Sequence, residues 1–250
     1  MPHSHFWCCQ GGEIPVEEAL AHSRTPDCNY NYPLLKAMVQ QEDTRISATR
    51  LANCPRKIAL KRRVNYTVDP ESAWKMLRGS IFHKGLEYLE DSDAVREVEL
   101  ERSLVGTLGY WWTGIPFIGP VTINGRLDLA YPDQGVIVDW KSTDRRPSRP
   151  KDQHIAQLSI YTWLARSRGW EFHTGEIVYF TMKYVRRFTA ELWSEADTES
   201  YIRERLPALL AAYDDGAPLA PAMGPNHPDF FMCSNCEVAR ECALRAMEGE

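Results

Sequence analysis

The sequence has no apolar run approaching the ~18 residues that a helix needs to cross a membrane, so no helical span is expected. It has no excess of positive charge. Its 29 Lys and Arg stand against 34 Asp and Glu, a net charge of −5, so any nucleic-acid contact must come from local patches. Its opening stretch, MPHSHFWCCQGGEIP, lacks a basic segment followed by a long apolar one, and no secretory signal is expected. Cysteine is scarce and odd in number, at seven. That argues against a disulfide framework and for a reducing, cytoplasmic setting. No internal repeat or low-complexity tract is present. What remains is a chain of 250 residues with the composition of a globular protein, long enough for one substantial core with appendages.

One stretch concentrates the chemistry: Gly125 to Ser142, GRLDLAYPDQGVIVDWKS. Val136 to Trp140 is β-branched and bounded by Gly135 and Ser142, which predicts a buried strand. Side chains alternate along a strand, so Asp139 and Lys141 point to one face. Asp128 ends an earlier strand, Val121 to Tyr131, and the Pro132–Gly135 turn predicts antiparallel pairing. That arrangement sets Asp128 beside Asp139, with Lys141 next to both. Two carboxylates in one pocket repel unless a cation neutralises them. Oxygen-only ligands suit magnesium or manganese, and such an ion can activate water and stabilise a phosphoryl oxygen. The pattern D-x10-D-x-K is therefore a candidate phosphodiester hydrolysis site. A surface hairpin bearing a solvated Asp–Lys pair is the simpler alternative.

Residues 1–45 are polar and proline-punctuated, and read as an appendage with short helices near 16–22 and 33–41. Cys8, Cys9 and Cys28 match no metal spacing and are taken as free thiols. After Ser47 comes the densest basic run, Arg56, Lys57, Lys61, Arg62 and Arg63, either a phosphate-contacting surface or a solvated helix face. Trp74 to Leu89 is helical by pattern and sets His83 and Glu87 on one face. Val95 to Leu104 alternates as a half-exposed strand. Leu108 to Pro120 reads as a loop or hairpin. Arg145, Arg146, Arg149 and Lys151 crowd a proline-broken loop directly after Lys141. Lys151 to Arg168 predicts a helix with Gln157 and Tyr161 at i, i+4. Glu176 to Tyr184 and Arg187 to Trp193 read as a strand pair, and Ser194 to Asp214 as a serine-capped helix.

The sequence closes on Cys233, Cys236 and Cys242, a C-x2-C-x5-C run. A tetrahedral zinc or an iron–sulfur cluster needs a fourth ligand, for which Cys54 is the candidate. One distant cysteine plus a single close triplet favours a 4Fe–4S cluster over zinc.

Taken together, these motifs resemble the RecB-type PD-(D/E)XK nucleases that carry an iron–sulfur cluster, including the CRISPR-associated Cas-four exonucleases and phage relatives. The resemblance spans about residues 46–246 and rests on His83 in GSIFHKGLE, Asp128 in GRLD, Asp139-Trp140-Lys141, Gln157-x3-Tyr161 and the four cysteines. It implies an α/β fold with a mixed central sheet flanked by helices. It divides the chain into an extension at 1–45, a nuclease core at 46–232 and a cysteine segment at 233–250. Asp128, Asp139, the Trp140 carbonyl and His83 would hold Mg or Mn. Lys141 would position the attacking water, and Gln157 and Tyr161 would orient the scissile strand or the lysine. Cys54, Cys233, Cys236 and Cys242 would hold a structural 4Fe–4S cluster. The basic segments Lys57–Arg63 and Arg145–Lys151 would line a path for single-stranded DNA, with Trp111 or Trp112 stacking on bases. The implied activity is a 5′-to-3′ DNA exonuclease in CRISPR spacer acquisition or phage recombination. The alternative is a DNA-binding adaptor for an integrase or replication complex, docking through residues 1–45.

Overall fold

The computed structural model describes residues 3–8, 11–30, 32–39, 45–68, 70–88, 92–109, 116–144, 146–181, 183–227 and 230–249. Expectations that fall on Cys9, Trp111, Trp112 and Arg145, and on the Cys8 side chain, lie outside the described residues. In chain order the elements begin β1 (His3–Cys8), β2 (Gly12–Pro15), α1 (Val16–His22), α2 (Tyr32–Met38), α3 (Ala48–Leu51) and α4 (Pro55–Arg63). Next come β3 (Tyr66–Val68), α5 (Pro70–Glu87), β4 (Val95–Leu104), β5 (Thr107–Gly109), β6 (Pro116–Ile118) and β7 (Val121–Tyr131). The series ends β8 (Val136–Ser142), α6 (Asp152–Ala165), β9 (Thr174–Phe180), β10 (Val185–Ala190), α7 (Glu195–Tyr213) and α8 (Ala239–Met247). No described helix is long and apolar enough to cross a membrane.

The chain divides into two units. The first comprises residues 1–44, 54–80 and 211–250; the second comprises 45–53 and 81–210. This division corrects the reading of residues 1–45 as an appendage. In the first unit β1 pairs antiparallel with β2 and parallel with β3. Phe6, Val16, Leu35, Leu60, Tyr66 and Val238 form one buried cluster, against which Cys236 and Cys242 pack. A polar composition conceals a handful of apolar residues placed to share a core with the end of the chain.

The basic run on α4 also differs from expectation. Cys54 occupies the N-cap position without a side-chain cap, and Pro55 occupies the first turn, where a missing N–H costs nothing. The charges then turn inward. Arg56 is 1% exposed, and it donates from Nε to Cys242 Sγ at 3.2 Å and from Nη1 to the Ala220 carbonyl at 2.9 Å. Lys57 and Lys61 pair with Glu237 at 2.6 and 3.5 Å, and Lys61 is only 7% exposed. Arg63 donates to the carbonyls of Ala211 and Ala217 at 2.8 and 2.6 Å. Arg62 is exposed, its guanidinium 5.2 Å from the Tyr213 ring centre. A phosphate-binding face made of Lys57, Lys61, Arg62 and Arg63 is therefore corrected. Three of the four charges are engaged within the unit, where they join α4 to the cysteine segment.

The second unit is built on a five-stranded sheet in the order β10-β9-β8-β7-β4. β8 and β9 are parallel and the other pairs antiparallel, a mixed sheet as expected. The parallel pair requires a crossover, which α6 supplies. Every residue of α6 from Ala156 to Ala165 is buried, which fits a helix packed on the sheet and against α3. Gly125 makes this packing possible. A Cβ there would meet Leu164 Cδ1 at 2.7 Å and Tyr161 Cε1 at 2.8 Å. Ile202, Leu206 and Leu209 of α7 are buried as well. β5 and β6 pair antiparallel within the stretch that reads as a loop or hairpin.

Candidate active site

The β7–β8 hairpin turns through Pro132–Gln134 and then Gly135, whose φ of 65° is left-handed and favours glycine. Backbone pairing runs from Tyr131↔Val136 to Leu129↔Val138. Continued by one step, this register sets Asp128 opposite Asp139. The ladder stops there, and Asp128 Oδ2 accepts the Trp140 N–H at 2.7 Å in place of a backbone carbonyl. A side chain thus ends the pairing where the two carboxylates meet.

Asp139 is 1% exposed. Its Oδ1 accepts from Lys141 Nζ at 2.8 Å, while its Oδ2 is buried without a hydrogen bond. Burial raises the Asp139 carboxyl above its ordinary range, and the Lys141 ammonium pulls it back. Burial works against the charge on Lys141, but Asp139 and Asp128 hold the ammonium protonated well above its usual range. α5 brings in His83, whose Nδ1 lies 3.3 Å from Asp128 Oδ1 and 3.6 Å from Glu97 Oε1. Burial opposes its protonation, yet the carboxylates of Asp128 and Glu97 outweigh it and push His83 up to about 10.

α6 supplies the remaining pair. Gln157 Nε2 donates to Tyr161 Oη at 2.7 Å and to Thr49 Oγ1 at 3.1 Å. Both residues are buried, and burial pushes the Tyr161 hydroxyl up to about 12. Lys141, Asp139 and Asp128 all act electrostatically on Tyr161. The second unit therefore gathers His83, Asp128, Asp139, Lys141, Gln157 and Tyr161, with Trp140 between the two key side chains of β8. Among the exposed basic residues, Arg146 and Arg149 lie on the loop after β8.

Glu97 is a site residue that the sequence does not single out. It reads there as one charge among several in the alternating strand VREVELE. The structure gives it a φ of 48°, the only left-handed non-glycine among the described residues. Such a backbone costs about 1–3 kcal/mol unless its surroundings hold it. Glu97 Oε2 pairs with Arg126 Nε at 2.5 Å, and its Oε1 is buried without a hydrogen bond. One donor atom each from His83, Glu97 and Asp128 lie within 4.8 Å of one another, a spacing that can hold a metal ion. Asp139 Oδ2 and Glu97 Oε1, buried without a hydrogen bond, keep lone pairs open to a cation. Glu97→Gln is expected to weaken Mn²⁺ binding about 10–100-fold, whether Glu97 ligates or only holds His83. Isothermal titration at pH 7.5 checks this; an unchanged affinity would leave Glu97 as no more than the partner of Arg126.

In the first unit Cys54, Cys233, Cys236 and Cys242 are reduced and in no disulfide. Burial raises the Cys233 and Cys236 thiols, and the neighbouring Cys54 acts on both in the same direction. Cys242 also raises the Cys233 thiol. The four cysteines singled out by spacing are thus electrostatic neighbours, and Cys28, also in no disulfide, has no part in the interactions described for Cys233 and Cys236.

The chain resembles proteins of known structure at low identity. SSO0001 shares the fold with a TM-score of 0.52 and 21% identity over 92% of both chains. A candidate exonuclease from Eubacterium rectale matches with a TM-score of 0.37 and 14% identity, over 62% of this chain and 58% of that one. No curated protein matches. A family model of the PD-(D/E)XK nucleases matches residues 86–243. That span holds Asp128, Asp139, Lys141, Gln157 and Tyr161, and more than half of the sequence. With a mixed sheet carrying an acid–acid–lysine set at the end of two paired strands, the chain belongs to the PD-(D/E)XK nuclease superfamily.

Proposed function

We propose that the second unit is a metal-dependent DNA exonuclease that prefers single strands and works 5′ to 3′. The observation that carries the reading is the buried Asp139–Lys141 pair facing Asp128 and His83, with one Asp139 oxygen left without a hydrogen bond. Asp128, Asp139 and the Trp140 carbonyl would hold Mg²⁺ or Mn²⁺, with His83 completing the set. The ion would supply Lewis-acid stabilisation of the phosphoryl oxygens and a more acidic water. Lys141 holds a proton donor 2.8 Å from Asp139, where it can orient that water and balance developing negative charge. Gln157 and Tyr161 would orient the scissile strand or the lysine. The polarity, the strand preference and a setting in CRISPR spacer acquisition or phage DNA processing rest on the resemblance.

The first unit, on this reading, carries a structural 4Fe–4S cluster on Cys54, Cys233, Cys236 and Cys242. The donor set is four neighbouring thiols outside any disulfide, which fits. The adaptor alternative loses its motive, because residues 1–44 help to build the first unit.

The test is anaerobic purification, iron quantitation and a Mn²⁺-dependent assay on end-labelled single-stranded DNA. The expected result is iron near four per chain, lost in Cys54→Ser, together with progressive shortening of the DNA. Absence of cleavage under Mg²⁺ and Mn²⁺ would overturn the enzymatic reading. Stoichiometric zinc without iron would overturn the cluster.

A further inference from the structure

The sheet carries a feature that the nuclease motifs do not use. Lys141 of β8 pairs with Tyr179 of β9, and Tyr179 pairs with Arg186 of β10. Directly paired residues project to the same face, so Lys141, Tyr179 and Arg186 form one row. Two interstrand steps separate Lys141 from Arg186, about 10 Å. β10 is the edge strand of this sheet; its next residue, Arg187, projects to the opposite face and is not part of this row. The turn between β9 and β10 presents Lys183 to solvent. That turn is held by Thr181 Oγ1, which accepts the N–H groups of Lys183 and Tyr184 at 3.1 and 3.2 Å.

The loop leaving β8 converges on the same surface. Arg186 Nη1 donates to the Pro147 carbonyl at 3.2 Å, and the Arg146 guanidinium sits 5.5 Å from the Tyr184 ring centre. Arg186 also lies 4.6 Å from the Phe188 ring centre. Two segments distant in sequence, 144–151 and 181–188, are thereby tied into one patch of arginines and aromatic rings. The carboxylates next to it include Asp144, exposed on the same loop, and Asp152, 4.0 Å from Arg149. With Arg149 largely exposed, its pair with Asp152 neutralises little.

We propose that this loop and the β9–β10 hairpin form a track for single-stranded DNA that ends at Lys141. The inference rests on the nuclease reading for its destination but not for its chemistry. Interleaved arginines and aromatic rings suit a single strand, whose phosphates need cations and whose unpaired bases need stacking surfaces. The competing account is that the charges on β10 only guard an edge strand against pairing with another chain.

The experiment measures fluorescence anisotropy of a labelled oligothymidine and of a duplex, in Ca²⁺ and over a range of salt. The triple variant Arg146→Ala/Arg149→Ala/Arg186→Ala is expected to bind the single strand at least about tenfold more weakly. Its slope of log Kd against log salt should fall by about 2, at about 0.7 per phosphate contact on single strands. Tyr184→Ala should lose about tenfold on the single strand and much less on the duplex. An unchanged Kd and slope in the triple variant, with or without new self-association in light scattering, would overturn the track; self-association would point to edge guarding. Wild-type protein that binds but does not cut under Mn²⁺ would count against the nuclease reading alone, since the track is judged on binding.

Discussion

Lys141→Ala lowers DNA cleavage by about a thousandfold while binding of the strand persists, the loss expected when one positioned donor is removed from a developing charge. The lysine amine meets Asp139 at 2.8 Å, and it lies at the end of a strand with Asp139 on the same face. Its removal has a second effect. Asp139 is already raised by burial and is held down by the Lys141 charge. Without that charge the carboxyl moves higher still, and a proton then competes with the metal over a wider pH range. Residual cleavage by the variant should therefore climb more steeply with pH than that of the wild type. The measurement is a pH–rate profile under saturating Mn²⁺, with the variant's fold checked by circular dichroism. A variant that cuts at the wild-type rate would remove Lys141 from the chemistry. A variant with the wild-type pH profile would show that its charge does not reach Asp139.

Glu237→Gln destabilises the first unit by about 3 kcal/mol at pH 7. Burial opposes ionisation of Glu237, but Lys57 and Lys61 outweigh it and hold the carboxyl at about 2, against an ordinary 4.5. A tenfold change in the acidity of a group corresponds to about 1.4 kcal/mol between its two protonation states. The sign follows from linkage. A depressed carboxyl contributes stability that is complete above about pH 5 and is lost as pH falls through about 2. Urea unfolding at several pH values reads this directly. The gap between wild type and Glu237→Gln should be widest near neutrality and should narrow below about pH 4.5. A gap that stays constant with pH would mean that the side chain acts by shape and not by charge. The same pairs explain why a substituted Glu237 is so costly: Lys61 is 7% exposed and would be left as a buried cation without its carboxylate.

The hairpin at the centre of the site was legible because its signals are local. Alternation puts Asp139 and Lys141 on one face, and a proline–glycine turn sets the register that brings Asp128 opposite. Gln157 and Tyr161 were legible for the same reason, as an i, i+4 pair on one helix. What escaped depends on partners far along the chain. The basic run on α4 shows five cations and no acid, so it reads as a phosphate surface. Its partner carboxylate, Glu237, lies in the cysteine segment and cannot be placed from sequence. Residues 1–44 look polar because only a few of them, such as Phe6, Val16 and Leu35, carry the packing. Glu97 is distinguished by its backbone conformation, and a positive φ at a glutamate leaves no mark in the residue string. The Lys141–Tyr179–Arg186 row depends on strand order, which alternation within single strands does not reveal.

The first unit draws on three separate stretches, 1–44, 54–80 and 211–250, and this imposes a timetable on biosynthesis. Ribosomes add about 5–20 residues per second, and compact parts fold as units while they emerge. Residues 81–210 leave the ribosome as one block, so the strands bearing Asp128, Asp139 and Lys141 can pair before the last stretch exists. Phe6, Leu35 and Leu60 are made early but have no Val238 to cover them until the end, so they are sticky surface for a molecular chaperone in the interval. Cys54 likewise waits for Cys233, Cys236 and Cys242. A group proposed to sit on those four thiols would be loaded last, into a chain whose central sheet has already been laid down.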